Sequence, residues 1–350
     1  MKENSIMIAM SGGVDSAVAA YLTANGRDAA GVTMRLVSED VCDTATAADD
    51  ENGAAAICDR LQIPHFVADL GKQFREAVVD PFITAYERGE TPNPCIFCNK
   101  AIKFGALMDF AKQKGYQRIA TGHYIRIEHT ADRTLIRRAT DESKDQSYML
   151  WSLSQDVLSQ CEFPLGGMTK SEVRAIAAEQ QFPMAKRKDS QDICFVPDGD
   201  YAAFIERITR QKPSPGQYID RDGRPLGQHK GQLHYTIGQR KGLGIALGKP
   251  MFVVSKSAES NTVTLGSNED LFTTRLIAKG INLIPFDRLD RPRKMLAKTR
   301  YRQTAAPALV EQLDTDTLLV EFEAPQRAIC PGQSLVLYED DYLMGGGIIV

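Results

Sequence analysis

Apolar residues near the N-terminus fall into short blocks separated by stretches of helical spacing. Residues 6–10, Ile-Met-Ile-Ala-Met, lead into Ser11-Gly12-Gly13-Val14-Asp15-Ser16 and then a helical pattern over 17–22, which reads as strand, glycine turn, helix. Residues 29–34 predict a second strand, and a polar stretch through Asn52 gives way to a helix over 54–61. Residues 65–69 and 118–121 predict a third and a fourth strand, with helical patterns between them. This alternation predicts an α/β fold, a doubly wound parallel sheet with helices on both faces. Ligands of such sheets bind beyond the carboxyl ends of the strands, so Met10, Met34 and Thr121-Gly122-His123 should border one nucleotide. Met34 also suits simple core packing, and His123 also suits a histidine satisfied by neighbouring backbone.

Helical spacing continues over 157–180, broken by Phe163-Pro164-Leu165-Gly166-Gly167, and Thr169-Lys170-Ser171-Glu172 supplies a capping box. From Pro213 onward the texture is short strands and turns, and 271–350 contains alternating runs suited to a small β-barrel. The expected division is residues 1–205 with a helical lobe near 158–185, a small central domain over 206–270, and a C-terminal barrel over 271–350. A length of 350 residues fits two or three domains, and 43% hydrophobic with 25% charged residues is ordinary for a soluble protein. No apolar stretch reaches about 18 residues and no signal peptide opens the chain, so a cytoplasmic protein without membrane contact is expected. Its seven cysteines are then expected to be thiols, any disulfide being catalytic rather than structural. Net charge is only −3, yet residues 186–302 hold 22 Lys and Arg against 12 Asp and Glu, leaving 20 against 33 elsewhere. The asymmetry suits a nucleic-acid surface on the later domains, and equally the solvated faces of unrelated elements.

The glycine turn carries chemistry of its own. Two glycines allow close backbone approach, and the following helix aims free N–H groups and its positive dipole end into the turn, so phosphate is the expected ligand. The lysine of a Walker A loop is missing, and the dinucleotide pattern is absent. The turn resembles the pyrophosphate loop, S-G-G-x-D-S, of enzymes that cleave ATP between its α- and β-phosphates. That resemblance implies that Ser11, Gly12, Gly13 and Ser16 cradle pyrophosphate and that Asp15 positions Mg2+. Ala9, Met10, Val14, Met34 and Gly122 complete the expected nucleotide site.

Thr91-Pro92-Asn93-Pro94-Cys95-Ile96-Phe97-Cys98-Asn99-Lys100 places Cys98 just before a helical run over 101–112, with a lysine close by. A thiol so placed should have a lowered pKa and be nucleophilic, although a buried structural cysteine is also open. Cys194 likewise follows basic residues, in Lys186-Arg187-Lys188-Asp189-Ser190-Gln191-Asp192-Ile193. Three cysteines make a poor zinc site, since no fourth ligand lies at a fitting spacing.

With these stretches, and with residues 120–124, 144–148, 188–195, 234–244 and 300–303, practically the whole chain resembles the tRNA-specific 2-thiouridylase family of PP-loop ATP pyrophosphatases. The resemblance implies ATP-dependent 2-thiolation of the wobble uridine, position 34, of tRNA. Uridine O2 attacks the ATP α-phosphate, and sulfur then displaces AMP from C2. By position, Cys194 matches the cysteine that receives a persulfide from a sulfur-carrier protein. Cys98 matches the nucleophile that releases or transfers the outer sulfur, and the pair ends as a disulfide. tRNA contacts implied in the same way are Asn93, Pro94, Cys95, Lys144, Asp145, Gln146, Arg300 and Tyr301. The chain departs from the family at Cys95, where Asp is common. Either another group takes over that acid–base role, or Cys95, Cys98 and Cys194 hold a [4Fe-4S] cluster with one iron open. An amidotransferase-type synthetase would need a glutaminase region that the chain does not leave room for. A tRNA-binding protein with a degenerate loop would have lost loop residues that are all present here.

Overall fold

The computed structural model describes residues 5–36, 45–186 and 193–350. The strands are β1 (Ile6–Ala9), β2 (Ala29–Arg35), β3 (His65–Asp69), β4 (Arg118–Ala120), β5 (Ile125–His129), β6 (Thr134–Arg138) and β7 (Cys161–Glu162) in the N-terminal region. Five of them form a parallel sheet in the order β3-β2-β1-β4-β7. Successive side chains of a strand point to opposite faces, so β1 serves two cores. Ile6 and Ile8 pack with Val18, Ile57 and Val173 on one face, while Met7 joins Phe74, Ile96 and Ile102 on the other. Burial on both faces explains why these strands read as continuous apolar runs.

The sheet differs from the sequence expectation in two places. The second helix begins earlier, spanning Ala45–Leu61, though residues 37–44 of the polar stretch lie outside the described residues. Helical spacing over 157–180 is realised only in Gln155–Leu158 and Lys170–Glu179. Between them Cys161 and Glu162 pair with Ile119 and Ala120 as the edge strand β7, held there by registry that local spacing cannot reveal.

Helix Tyr201–Thr209 leads to a second sheet. Its strands β8 (Gly216–Ile219), β9 (Pro225–His229), β10 (Phe252–Ser257) and β11 (Thr262–Gly266) lie in the order β10-β11-β8-β9 around Tyr218, Tyr235, Val253 and Leu265. The last region contains β12 (Phe272–Leu283), β13 (Arg293–Lys298), β14 (Ala306–Gln312), β15 (Thr317–Arg327), β16 (Ser334–Glu339) and β17 (Tyr342–Ile349). Pairing of β12 with β17, Ala278 opposite Ile349, closes these six antiparallel strands into a barrel and removes its free edges.

The barrel is joined to the first region. Hairpin β5–β6 extends the barrel sheet through Tyr342 opposite Arg137, and Arg126 and Arg137 both donate to the Asp341 carboxylate, at 2.7 and 2.8 Å. Gly346 lies so close to the Trp151 ring that a Cβ there would stand 2.9 Å from it, and Asn282 Nδ2 donates to the Trp151 and Leu153 carbonyls. No helix among the described residues is long and apolar enough to cross a membrane.

Candidate active site

The glycine turn leaves β1 at its carboxyl end and becomes the first turn of helix Val14–Ala24. Gly13 occupies the N-cap without any side-chain cap, which leaves the first N–H groups of the helix for a ligand. Gly12 has φ +68°, and a Cβ on it would stand 2.7 Å from Asp50 Cα, so helix Ala45–Leu61 closes over the turn only because this residue is glycine. Ser16 Oγ donates to the Gly13 carbonyl at 3.0 Å and accepts from Ser11 N–H at 3.1 Å, tying the turn into a ring. Gly122, just past β4, packs against the same turn: a Cβ would lie 2.9 Å from the Asp15 carbonyl carbon. The structure therefore brings residues 9–16 and Gly122 together at the carboxyl end of the sheet. Met10 is fully buried in the core beside the turn, and Met34 is half-buried at the end of β2.

Asp15 is held by two residues outside the expected nucleotide site. Lys170 Nζ reaches both carboxylate oxygens, at 2.7 and 2.8 Å, and Tyr124 Oη donates to Oδ1 at 2.7 Å. Lys170 opens the helix whose N-cap is Thr169, with the expected capping box in place. Its side chain is 11% exposed against 34% for Asp15, so the pair sits at the rim of the turn with the carboxylate toward solvent. The available signal was the capping box, which fixes where helix Lys170–Glu179 begins; the 155-residue separation of the pair hid the rest.

A short strap links this turn to the cysteines. Gln146 Oε1 accepts from Tyr124 N–H at 2.9 Å, and Asp145 Oδ2 accepts from Ser147 Oγ at 2.7 Å. Tyr301 Oη donates to the Asp145 carbonyl at 3.1 Å. Met149, at the far end of the strap, accepts from Asn99 Nδ2 through its carbonyl at 3.0 Å and from Asn93 Nδ2 through its sulfur at 3.6 Å. Asn93 also caps helix Pro94–Cys98 by accepting from Cys95 N–H.

That helix overturns one expectation. The expected helical run does follow Cys98, but Cys98 is not at its N-terminus: the helix starts at Pro94, and Cys98 ends its first five residues before it runs on through the π-helical segment Asn99–Ala106 into helix Leu107–Gln113. Its thiol is buried, and burial pushes it up, with Lys103 opposing only in part. Cys95 is half-buried and is raised for the same reason. Cys194 is exposed as a residue, yet the protein crowding its sulfur, and then Cys98 and Cys95 facing it, push its thiol up to about 12. In this state the three thiols are neutral rather than activated.

Cys194 is placed by its neighbour Phe195, which packs edge-on against Phe74 and Phe82, with ring centroids 5.5 and 5.4 Å away. Residues 187–192 of the basic run ahead of it lie outside the described residues. All six described cysteines are free thiols. Among the described residues no group of three or more His, Cys, Asp or Glu side chains stands out as a metal-holding set. His123 is buried, shares a 2.8 Å hydrogen bond with the Thr121 hydroxyl, and is kept neutral by burial and by Lys103.

Arg300 is not displayed on a barrel strand. It follows β13, and its Nη2 donates to the carbonyls of Ile237 and Ala328, at 3.2 and 2.8 Å, and to Cys330 Sγ at 2.7 Å. It therefore clamps the central domain to the barrel.

The three regions match three family models in order. The tRNA methyl transferase HUP domain covers residues 4–198, the tRNA methyl transferase PRC-barrel domain 202–267, and the aminomethyltransferase beta-barrel domain 273–349. The tRNA-specific 2-thiouridylase MnmA 2 of Clostridium botulinum (strain Langeland) is 44% identical over 353 residues, covering 100% of this chain and 99% of that one. The chain belongs to the tRNA-specific 2-thiouridylase family. The family member from Clostridioides difficile (strain 630) is also 44% identical, covering 98% of this chain and 97% of its own. Among solved structures, the U34-tRNA thiolase NcsA from Methanococcus maripaludis with its [4Fe-4S] cluster is similar at 15% identity and a TM-score of 0.36, over 59% of this chain and 70% of that one. That likeness is too loose to transfer a ligand.

Proposed function

We propose that this protein is a tRNA-uridine 2-sulfurtransferase of the cytoplasm, which uses ATP to replace O2 of the wobble uridine, position 34, with sulfur. The observation that carries the reading is the strap over residues 144–149, which ties a phosphate-shaped turn at one end to a group of three thiols at the other. Activation and sulfur delivery must act on the same carbon, and a rigid connection between their sites supplies that proximity.

The uncapped N-terminus of helix Val14–Ala24 receives the β- and γ-phosphates of ATP, with Ser11, Gly12, Gly13 and Ser16 around them. Asp15 would hold the Mg2+ that accompanies those phosphates, whose charge the ion would offset, and Lys170, which now holds that carboxylate, would offset charge developing on the pyrophosphate. Met10, Met34 and Gly122 border the nucleoside. Adenylation at O2 converts a poor leaving group into AMP. Cys194, the most exposed residue of the three, accepts sulfur as a persulfide from a carrier protein. Cys98, buried beside it, takes the place of the departing sulfur by closing a disulfide with Cys194. Neutral resting thiols protect this chemistry from stray oxidation until substrate closes the site. Asn93 and Pro94 lie beside the thiols where an extruded base would enter. Cys95 is a neutral thiol and supplies no carboxylate base. No step is routed through the cluster alternative.

Mass spectrometry of tRNA from a strain lacking the gene is expected to show loss of 2-thiouridine at the wobble position. Re-expression of Cys98→Ser or Cys194→Ser should fail to restore it, whereas ATP binding in vitro survives both changes. Full thiolation in cells carrying only Cys194→Ser would sink the persulfide role. Iron and sulfide analysis after anaerobic purification is expected to find neither.

A further inference from the structure

Between Asp222 and Glu259 the chain has no Asp or Glu but six Lys and Arg. Most of the central part of that stretch, residues 235–251, contains no helix or strand. An ordered loop of that length is commonly functional. It is pinned from below: Leu243 is buried in the central core, its carbonyl accepts from Tyr218 Oη at 2.7 Å, and Gly238 N–H donates to the Val253 carbonyl at 2.8 Å. Above these anchors Arg240, Lys241 and Lys249 are all exposed. None of the three is in an ion pair among the described residues. Several other cations of the later domains are paired, Arg221 with Asp270, Arg293 with Glu339 and Lys294 with Glu323. Part of the basic excess of residues 186–302 thus stands unpaired on this loop.

The backbone of the loop is open as well. Gly242, Gly244 and Gly248 have φ of +75°, +69° and +71°, and nothing lies within 4 Å of a Cβ built on Gly244 or Gly248. No interior contact calls for glycine at those two positions. Arg240, Lys249 and these glycines line a cavity of about 530 Å³. Its apolar lining, Leu243, Ile245, Leu247 and Met251, is buried or half-buried, and only Pro250 among the apolar residues there is exposed. Peptide groups and unpaired cations at the rim, with most of the apolar lining turned inward, suit a phosphate chain, whereas a protein partner would need a larger exposed hydrophobic centre. The loop is also mechanically linked to the site, because Arg300 holds the Ile237 carbonyl while its neighbour Tyr301 holds the Asp145 carbonyl of the strap.

We propose that residues 238–250 grip the sugar–phosphate backbone of the RNA substrate, independent of its sequence, at a distance from the reacting base. The proposal rests on the reading that the substrate is tRNA. The experiment measures the dissociation constant of an unmodified tRNA transcript against salt concentration by fluorescence anisotropy. It compares the full-length protein with Arg240→Gln/Lys241→Gln/Lys249→Gln. Each phosphate contact contributes roughly 0.7–0.9 to the slope of log affinity against log salt, so the triple variant should lose about 2 from that slope and bind roughly 10- to 100-fold more weakly at low salt. The charge-preserving Arg240→Lys/Lys241→Arg/Lys249→Arg should keep the slope. Unfolding midpoint and ATP affinity of both variants identify a folded protein, and the single Lys249→Gln, expected to lose roughly 0.7–0.9, serves if the triple variant does not fold. Unchanged slope and affinity in a folded variant, while wild type binds tRNA, would overturn the proposal alone. Loss of sulfur delivery from a carrier protein at an unchanged slope would overturn it in favour of a protein partner. Failure of wild type to bind tRNA would instead overturn the underlying functional reading.

Discussion

Gly122→Ala tests how the end of β4 shapes the phosphate turn. A methyl group there would meet the Asp15 carbonyl carbon at 2.9 Å, its oxygen at 3.1 Å and Ser16 N at 3.1 Å, all backbone atoms. Carbon contacts are comfortable near about 3.5–4.0 Å, so roughly half an ångström must be found by moving either the strand end or the first turn of helix Val14–Ala24. Overpacking of this kind costs about 1–3 kcal/mol. For a region of roughly 200 residues, each kcal/mol lowers the midpoint by about 2–4 °C. A fall of roughly 3–10 °C by calorimetry is therefore expected. Displacing the first turn also misaims the N–H groups at the phosphates, and losing one charge-assisted hydrogen bond, about 1.5–3 kcal/mol, weakens ATP by tenfold or more in titration calorimetry. Gly167→Ala is the control, because a Cβ there has nothing within 4 Å and its φ is not positive. It should leave both quantities as they are. Wild-type midpoint and ATP affinity in Gly122→Ala would refute the reasoning, since the turn could not then be packed on this glycine.

Lys170→Met removes the two-oxygen contact on Asp15, which Tyr124 alone then holds. Because Asp15 is one-third exposed, the stability loss should be near 1 kcal/mol, while ATP affinity falls about tenfold; equal ATP binding would show that Lys170 serves only the fold. His65, His123, His229 and His234 all have pKa values lowered from 6.5 by burial, so at neutral pH neither folded nor unfolded chain gains from protonating them. Below about pH 6.5 the unfolded chain takes up protons that the native state refuses, and stability falls by up to about 1.4 kcal/mol per pH unit for each group. Midpoints at pH 7.5, 6.0 and 5.0 should decline in that order and less steeply in His123→Gln. Iodoacetamide at pH 7.5 should label Cys194 first, slowly, with a rate still rising above pH 9, because its thiol is pushed up to about 12. Rapid labelling that levels off below pH 8 would contradict a neutral resting thiol.

The parallel sheet was legible because β1, β2 and β3 are apolar runs bounded by glycine and polar residues, and the capping box at Thr169 marked a helix start to the residue. β7 escaped because two residues carry no periodicity, and their pairing with β4 is tertiary. The phosphate turn stood out because its backbone chemistry is local. Its partners Lys170 and Tyr124 did not, since charge and hydroxyl come from distant segments. The expected low pKa of Cys98 failed for a related reason: a nearby lysine is visible in sequence, whereas burial, which outweighs it, is not. Arg300 read as a surface cation because nothing local reveals that the Ile237 and Ala328 carbonyls converge on it.

The junction of β6 with Tyr342 bears on synthesis. The outer edge of hairpin β5–β6 stays without its neighbour strand until about 200 further residues have been made, roughly 10–40 s at ordinary elongation rates. During that interval the nascent N-terminal sheet can be complete while Arg126 and Arg137 still lack Asp341. The edge is thus open to a neighbouring ribosome product, and its two arginines act as gatekeepers against strand addition. Chains released before residue 341 therefore keep this hairpin edge unpaired, guarded only by its arginines, even where their ATP site has already formed.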